Sequence, residues 1–350
     1  MISLLEQAGS WFLRSGIQEP SGGVARYYRS DLLEYAPVSN EITGYAASTF
    51  AYLYSLDGGR EYREAAVRAA RFLSDHAWDS ISNTFPFEPD SPLVFFFDLG
   101  IITRGLLAAS RRSGIEEFRA RAHEAALSMA FDFLAEGGGF HPVISLPEKQ
   151  PLPDEPRWSR RQGCYQLKSA LAWHEVGDRQ ASRLFESALA CALVSHDSFL
   201  PGDTDQEKVM DRLHAYCYFL EALLAVGDRS VVRDALDRGV ARVSTLLREI
   251  APDFERSDVC AQLLRVRLIA HHMGALDLDE RRACEEADRA ASYQAESSDR
   301  RLDGGFWFGQ RRGQTLPFMN PVSTAFCMQA LALWHRHRSG TWRFELQDLI

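Results

Sequence analysis

The six cysteines of this 350-residue chain, Cys164, Cys191, Cys217, Cys260, Cys284 and Cys327, include no Cys-x-x-Cys pair. They mostly sit singly within helical patterns, which excludes a zinc ribbon or a disulfide framework and predicts reduced, buried thiols. No stretch reaches the roughly 18 uninterrupted apolar residues of a membrane span, so none is expected. Basic runs are missing as well. The chain has 39 Lys+Arg against 48 Asp+Glu, a net charge of -9, and no Lys/Arg cluster, so nucleic acid is not an expected partner. No segment shows the period-2 alternation of a strand. The opening MISLLEQAGSWFLRSG lacks a basic n-region and carries Glu6 inside its apolar run. It reads as a structural helix and not a secretory leader, and a cytoplasmic location is expected. Gly137-Gly138-Gly139 and Gly304-Gly305 lack the strand-then-helix setting of a nucleotide loop. No cofactor is expected.

What is present is helical periodicity in a chain of 46% hydrophobic residues. From Pro37 to Leu56 a polar loop runs into a helix whose Tyr45, Ala46, Thr49, Phe50, Leu53 and Tyr54 cover far more than one stripe, so it should be buried on most sides. Ser39 or Asn40 can cap it, and Glu41 falls in its first turn, where a carboxylate is favoured by the helix dipole alone. Asp57-Gly58-Gly59 ends it, and the next segment is amphipathic in the ordinary way. This alternation recurs along the chain. Apolar helices are predicted near 41–56, 97–112, 163–176, 209–226, 258–274 and 322–337, and amphipathic ones near 2–15, 61–77, 115–135, 178–194, 229–249 and 280–296. Turns within each pair are short and often carry glycine, whereas connections between pairs are mostly long. The pattern predicts antiparallel helical hairpins closing into a ring, a single all-α domain over 1–350 with the N-terminal helix completing the last pair.

Six apolar and six amphipathic helices in alternation, with SGGVARYY before NEITGY near the start and DGGFWFG before NPVSTAF near the end, resemble the (α/α)6 toroid of the six-hairpin glycosidase-like superfamily. The resemblance covers essentially the whole chain. It implies a carbohydrate ligand and the activities known in that superfamily: glycoside hydrolysis, polysaccharide lysis and sugar epimerisation. Related toroids include isoprenoid cyclases and prenyltransferase subunits, and fold alone does not choose among them. Asp258-Val259-Cys260 resembles the Asp-x-Cys zinc ligands of protein prenyltransferase β subunits. The histidine expected in the last inner helix is missing, with Asn320-Pro321-Val322-Ser323-Thr324 in its place, so no metal is expected.

If the apolar helices form an inner barrel, they all start on one rim, where the long connections also gather, and binding is expected there. That rim carries Arg26, Tyr28, Glu41 and Tyr45, then Asp98, then Trp158, Gln162, Tyr165 and Gln166. Further along come Asp203, Asp211 and His214, then Arg256, Asp258, Gln262 and Arg265, and finally Asp303, Trp307 and Asn320. Aromatic faces mixed with carboxylates, Arg and amides suit a sugar cleft, because pyranose faces pack on rings while hydroxyls take polar partners. Asp, Asn and Ser at helix starts are also ordinary caps. Gln162, Gln166, His214, Gln262 and Arg265 are expected to continue into apolar helices, where an unpaired polar group costs about 1–3 kcal/mol. A water-filled funnel or a closed internal network would answer that cost.

The leading expectation is a hydrolase, lyase or epimerase acting on an oligosaccharide or polysaccharide. The alternatives are a non-catalytic toroid that binds a glycan or protein in polysaccharide metabolism, and a cyclase-like protein, which the polar inner positions disfavour. For hydrolysis the expected acid pair is Glu41 and Asp303, which flank neighbouring inner helices in a closed ring. For lysis or epimerisation, Tyr45 or His214 would transfer the proton, with Arg256 or Arg265 neutralising a uronate.

Overall fold

The computed structural model describes residues 4–89, 91–200 and 205–350, so Asp203 lies outside the described residues. Twelve α-helices appear among them: α1 (Leu4–Arg14), α2 (Asn40–Asp57), α3 (Arg60–Arg71), α4 (Phe96–Ser113), α5 (Glu116–Asp132), α6 (Gln166–Val176), α7 (Arg179–Phe199), α8 (Gln206–Leu223), α9 (Ser230–Ile250), α10 (Ser257–His272), α11 (Glu280–Ala291) and α12 (Pro321–Arg338). The even-numbered helices α2 to α12 fall on the predicted apolar segments and the odd-numbered helices α1 to α11 on the predicted amphipathic ones, so the two kinds alternate as expected. The apolar helices are buried nearly all round. In α4 every residue from Phe96 to Ser110 is buried, whereas α3 buries only Ala65, Ala66, Ala69 and Ala70.

The chain forms two compact units, Gln18–Arg26 with 37–196 and Ile350, and 1–17 with Tyr27–Ala36 and Asp197–Leu349. In the first unit α2, α4 and α6 are held at unusually short range by glycine. A Cβ on Gly105 would stand 2.4 Å from the Gly44 carbonyl oxygen, and one on Gly100 would stand 2.4 Å from Ser169 Cα. Neither obstacle is a flexible side chain, so Gly105→Ala must push α4 off α2. We expect it to cost at least about 1–3 kcal/mol, the usual range for overpacking, in a denaturant titration.

Strands do occur, against expectation, as three antiparallel three-stranded sheets of two- and three-residue strands. In the first unit, 93–95 pairs with 143–145 and then 150–151. In the second, 28–29 lies between 34–35 and 318–319, while 254–256 pairs with 309–311 and then 314–315. Runs this short cannot show a period of two, which is why the sequence pattern conceals them.

The Gly-Gly motifs have a common structural role. In the first unit Gly22 (φ +97°) packs so closely on α3 that a Cβ would meet the Arg68 carbonyl oxygen, and the amide of Val24 donates to Thr43 Oγ1 in the first turn of α2 at 2.9 Å. In the second unit Gly304 (φ +83°) packs equally closely on the Gln7 carbonyl of α1, and the amide of Phe306 donates to Thr324 Oγ1 of α12 at 3.0 Å. Each motif ties the start of an inner helix to an outer helix, and only glycine leaves room for the approach.

Candidate active site

Two acids of the first unit stand in the first turns of inner helices, Glu41 in α2 and Asp98 in α4. A first-turn acid that merely caps or answers the helix dipole should have its carboxyl group pushed below the usual range. Both are pushed the other way. Ser39 holds the N-cap of α2, its hydroxyl accepting from the Ile42 amide, so Glu41 is not needed as the cap. Burial raises the Glu41 carboxyl to about 7, with Arg26 and Arg157 pulling it back down. Asp98 is raised well above the ordinary carboxylate range by burial first and by the neighbouring Glu41 charge second. Asp98 is buried and its Oδ2 has no hydrogen-bond partner, whereas Glu41 keeps partial exposure although deeply set in the unit. Two neighbouring carboxyls that cannot both ionise hold a proton near neutral pH.

Aromatic rings and guanidinium groups surround this pair. Arg26 is ion-paired to Glu88 at 2.6 Å and lies over the Phe87 ring at 5.0 Å, which in turn packs on Phe95 at 5.1 Å. Phe97, beside Asp98 in the chain, meets Trp158 edge-on at 6.3 Å and Tyr165 at 5.9 Å. Tyr165 is buried and donates to the Arg161 carbonyl at 3.0 Å. Trp158 keeps partial exposure.

The second unit gathers a different set. His214 of α8 is buried, and its Nδ1 donates to Gln262 Oε1 of α10 at 2.8 Å, with Asp258 Oδ2 at 3.6 Å on the same nitrogen. Both contacts place the proton on Nδ1 and leave the Nε2 lone pair available. Burial, reinforced by the Arg256 charge and opposed by Asp258, lowers the imidazole to about 4, so it is neutral at pH 7. Arg256 grips Asp258 with two hydrogen bonds of 3.0 and 2.7 Å, reaches the half-exposed Asp211 at 2.7 Å, and lies over Phe308 at 4.7 Å. Gln262 Nε2 is buried without a partner.

Several expected site residues are placed elsewhere. Gln162 does not enter an inner helix: it is exposed in the loop ahead of α6, which starts at Gln166. Gln166 itself is satisfied locally, accepting from the Gly163 amide and donating to the Phe140 carbonyl. Arg265 is fully buried against Glu221, Gln329 Oε1 (2.9 Å) and the Phe326 ring (4.0 Å), a closed network and not a funnel wall. Tyr28 is fully buried with its hydroxyl unpartnered beneath the Arg301 guanidinium. Asn320 caps α12 through the amides of Val322 and Ser323. Trp307 is half-buried and offers its carbonyl to the Ser257 hydroxyl. Asp303 is exposed and braces its own loop by accepting from the Ser297 amide. Tyr45 is buried on α2. Sequence reasoning missed Arg157 altogether, although it adjoins Trp158.

No protein-family model matches the chain, and no curated protein matches it in sequence. Among solved structures it is similar to the cellobiose 2-epimerase of Spirochaeta thermophila, with a TM-score of 0.72 at 12% identity over 96% of this chain and 95% of that one. It is also similar to a D-mannose isomerase, with a TM-score of 0.70 at 12% identity over 95% and 97%. An unsaturated glucuronyl hydrolase specific for heparin gives 0.68 at 12% identity over 96% and 97%. The fold is an (α/α)6 toroid, as in these solved structures. At such identities the likeness carries the toroid and not the chemistry. Among the described residues no helix is long and apolar enough to cross a membrane, and no group of three or more His, Cys, Asp or Glu could hold a metal.

Proposed function

We propose that the chain is a carbohydrate-active enzyme in which Asp98 and Glu41 are the acid and base of glycosidic bond cleavage. The observation that carries this reading is the placement of two neighbouring acids at inner-helix starts, with Ser39 holding the cap in place of Glu41 and Asp98 Oδ2 buried without a hydrogen-bond partner. One carboxyl that stays protonated near neutral pH can protonate a leaving oxygen, while its ionised partner activates water or attacks the sugar. The rings of Trp158, Phe97 and Phe87 supply apolar faces beside it, and the solved structures of similar fold are named for sugar epimerisation, isomerisation and hydrolysis. In this reading Asp98 has the role expected of Asp303, whose carboxylate serves its own loop.

Incubation with a panel of oligosaccharides, followed by chromatography of the products, tests the reading. Turnover is expected to rise with pH through about 7, where Glu41 loses its proton and becomes the base or nucleophile while Asp98, held protonated by burial and by the Glu41 charge, serves as the acid. A rate that falls steadily from pH 5 to 8 would contradict Glu41 as the ionised partner. His214 supports a second reading, proton abstraction beside a sugar carbonyl, because its tautomer is fixed and its ring is neutral. Interconversion of free aldoses without bond cleavage would favour that reading.

A further inference from the structure

Arg157 is exposed, and among the described residues its guanidinium makes no hydrogen bond or ion pair. The other arginines of this region are answered: Arg26 by Glu88 at 2.6 Å, and Arg160 by Glu155 at 2.6 Å. The loop that carries Arg157 is laid over the start of α4. Trp158 meets Phe97 and Tyr165, at 6.3 and 5.0 Å, and Arg160 lies over Phe95 at 5.8 Å. The unanswered cation is therefore held next to a ring that sits against the residue preceding Asp98. Its charge is felt by both acids. With the dyad holding one proton, Arg26 is balanced by Glu88 and Arg157 by the remaining carboxylate in net charge, but among the described residues no side chain is hydrogen-bonded to the Arg157 guanidinium, whose donors stay open. A neutral sugar would leave Arg157 solvated and idle. An acidic sugar would give it a counter-ion while its ring packs on Trp158.

We infer that Arg157 is a specificity-determining residue that receives the carboxylate of an acidic sugar, so that the substrate class is an oligosaccharide bearing a uronate and not a neutral one. This rests on the reading of Glu41 and Asp98 as the reacting acids, and adds to it which sugar they face. Arginine suits the task because its planar fork matches a carboxylate with two parallel hydrogen bonds, a geometry that lysine cannot copy.

The test compares di- and trisaccharides of glucuronate and galacturonate with glucose and galactose oligosaccharides of the same length, by calorimetric titration of the intact protein and by product release. The acidic set is expected to bind at least about tenfold tighter, as one good charge-assisted contact provides. In Arg157→Ala that ratio should collapse to near one, and Arg157→Lys should restore only part of it. Because the residue lies on an exposed loop, an unchanged melting curve is expected and checks that each variant is folded. Equal binding of acidic and neutral sugars by the native protein, or an unchanged ratio in Arg157→Ala, would overturn the inference. If neutral sugars were cleaved in a Glu41-dependent way, the proposed function would survive that loss. Failure of every sugar to bind or react would overturn both.

Discussion

Glu41→Gln and Asp98→Asn should each lower turnover by about 10²–10⁴-fold, the usual contribution of a positioned proton-transfer group. Neither should unfold the protein. Glu41→Gln should in fact stabilise it at pH 8, and the sign follows from linkage. The folded-state carboxyl of Glu41 is raised to about 7, so the native state holds a proton that the unfolded chain gives up near 4.5. Glu41 therefore costs stability progressively as pH rises through that window, and glutamine, which imitates the protonated form, removes the cost. A melting temperature higher than native by a few degrees at pH 8, with the gain shrinking toward pH 5, is the expected pattern. It would show together with the loss of activity that a raised carboxyl at this place is held for chemistry and not for folding. A stability loss at both pH values would instead make Glu41 a structural acid.

The second large effect concerns Arg265 and Glu221, which pair with no solvent exposure in the second unit. Arg265→Leu removes the guanidinium that Glu221 pairs with, and Glu221→Leu removes the carboxylate from a guanidinium that also touches Gln329 and the Phe326 face. Each single change should cost about 3–5 kcal/mol, because an uncompensated buried charge is worse than none. The double variant should cost clearly less than the sum, since replacing both ions by apolar groups removes the desolvation penalty as well. Additive losses in denaturant titrations would mean that the two side chains act independently.

The helical plan was legible because it rests on local chemistry. A segment such as Phe96–Ser110, apolar on every side, has no alternative to burial, and the alanine stripe of α3 marks one packed face with arginines opposite. The site was legible only in part. Glu41 and Asp98 were visible as first-turn acids, yet sequence offers no way to tell a capping acid from a reacting one. The difference lies in Ser39 taking the cap and in the desolvation of two helix starts brought together by folding. For the same reason Asn320 and Asp303 looked like site residues and serve as a cap and a loop brace. Arg265 looked like a funnel residue because its partner Glu221 is 44 positions away. Arg157 is the opposite case: the role inferred for it rests on its having no hydrogen-bond partner among the described residues, which a sequence does not show.

A crystal structure of the Glu41→Gln protein with an uncleaved oligosaccharide would test the central claim most directly. The account predicts a glycosidic oxygen within about 3.2 Å of the side chain at position 41 or of Asp98, with a sugar ring against Trp158. A sugar seated with both of these side chains untouched, its reacting carbon facing His214 instead, would contradict it.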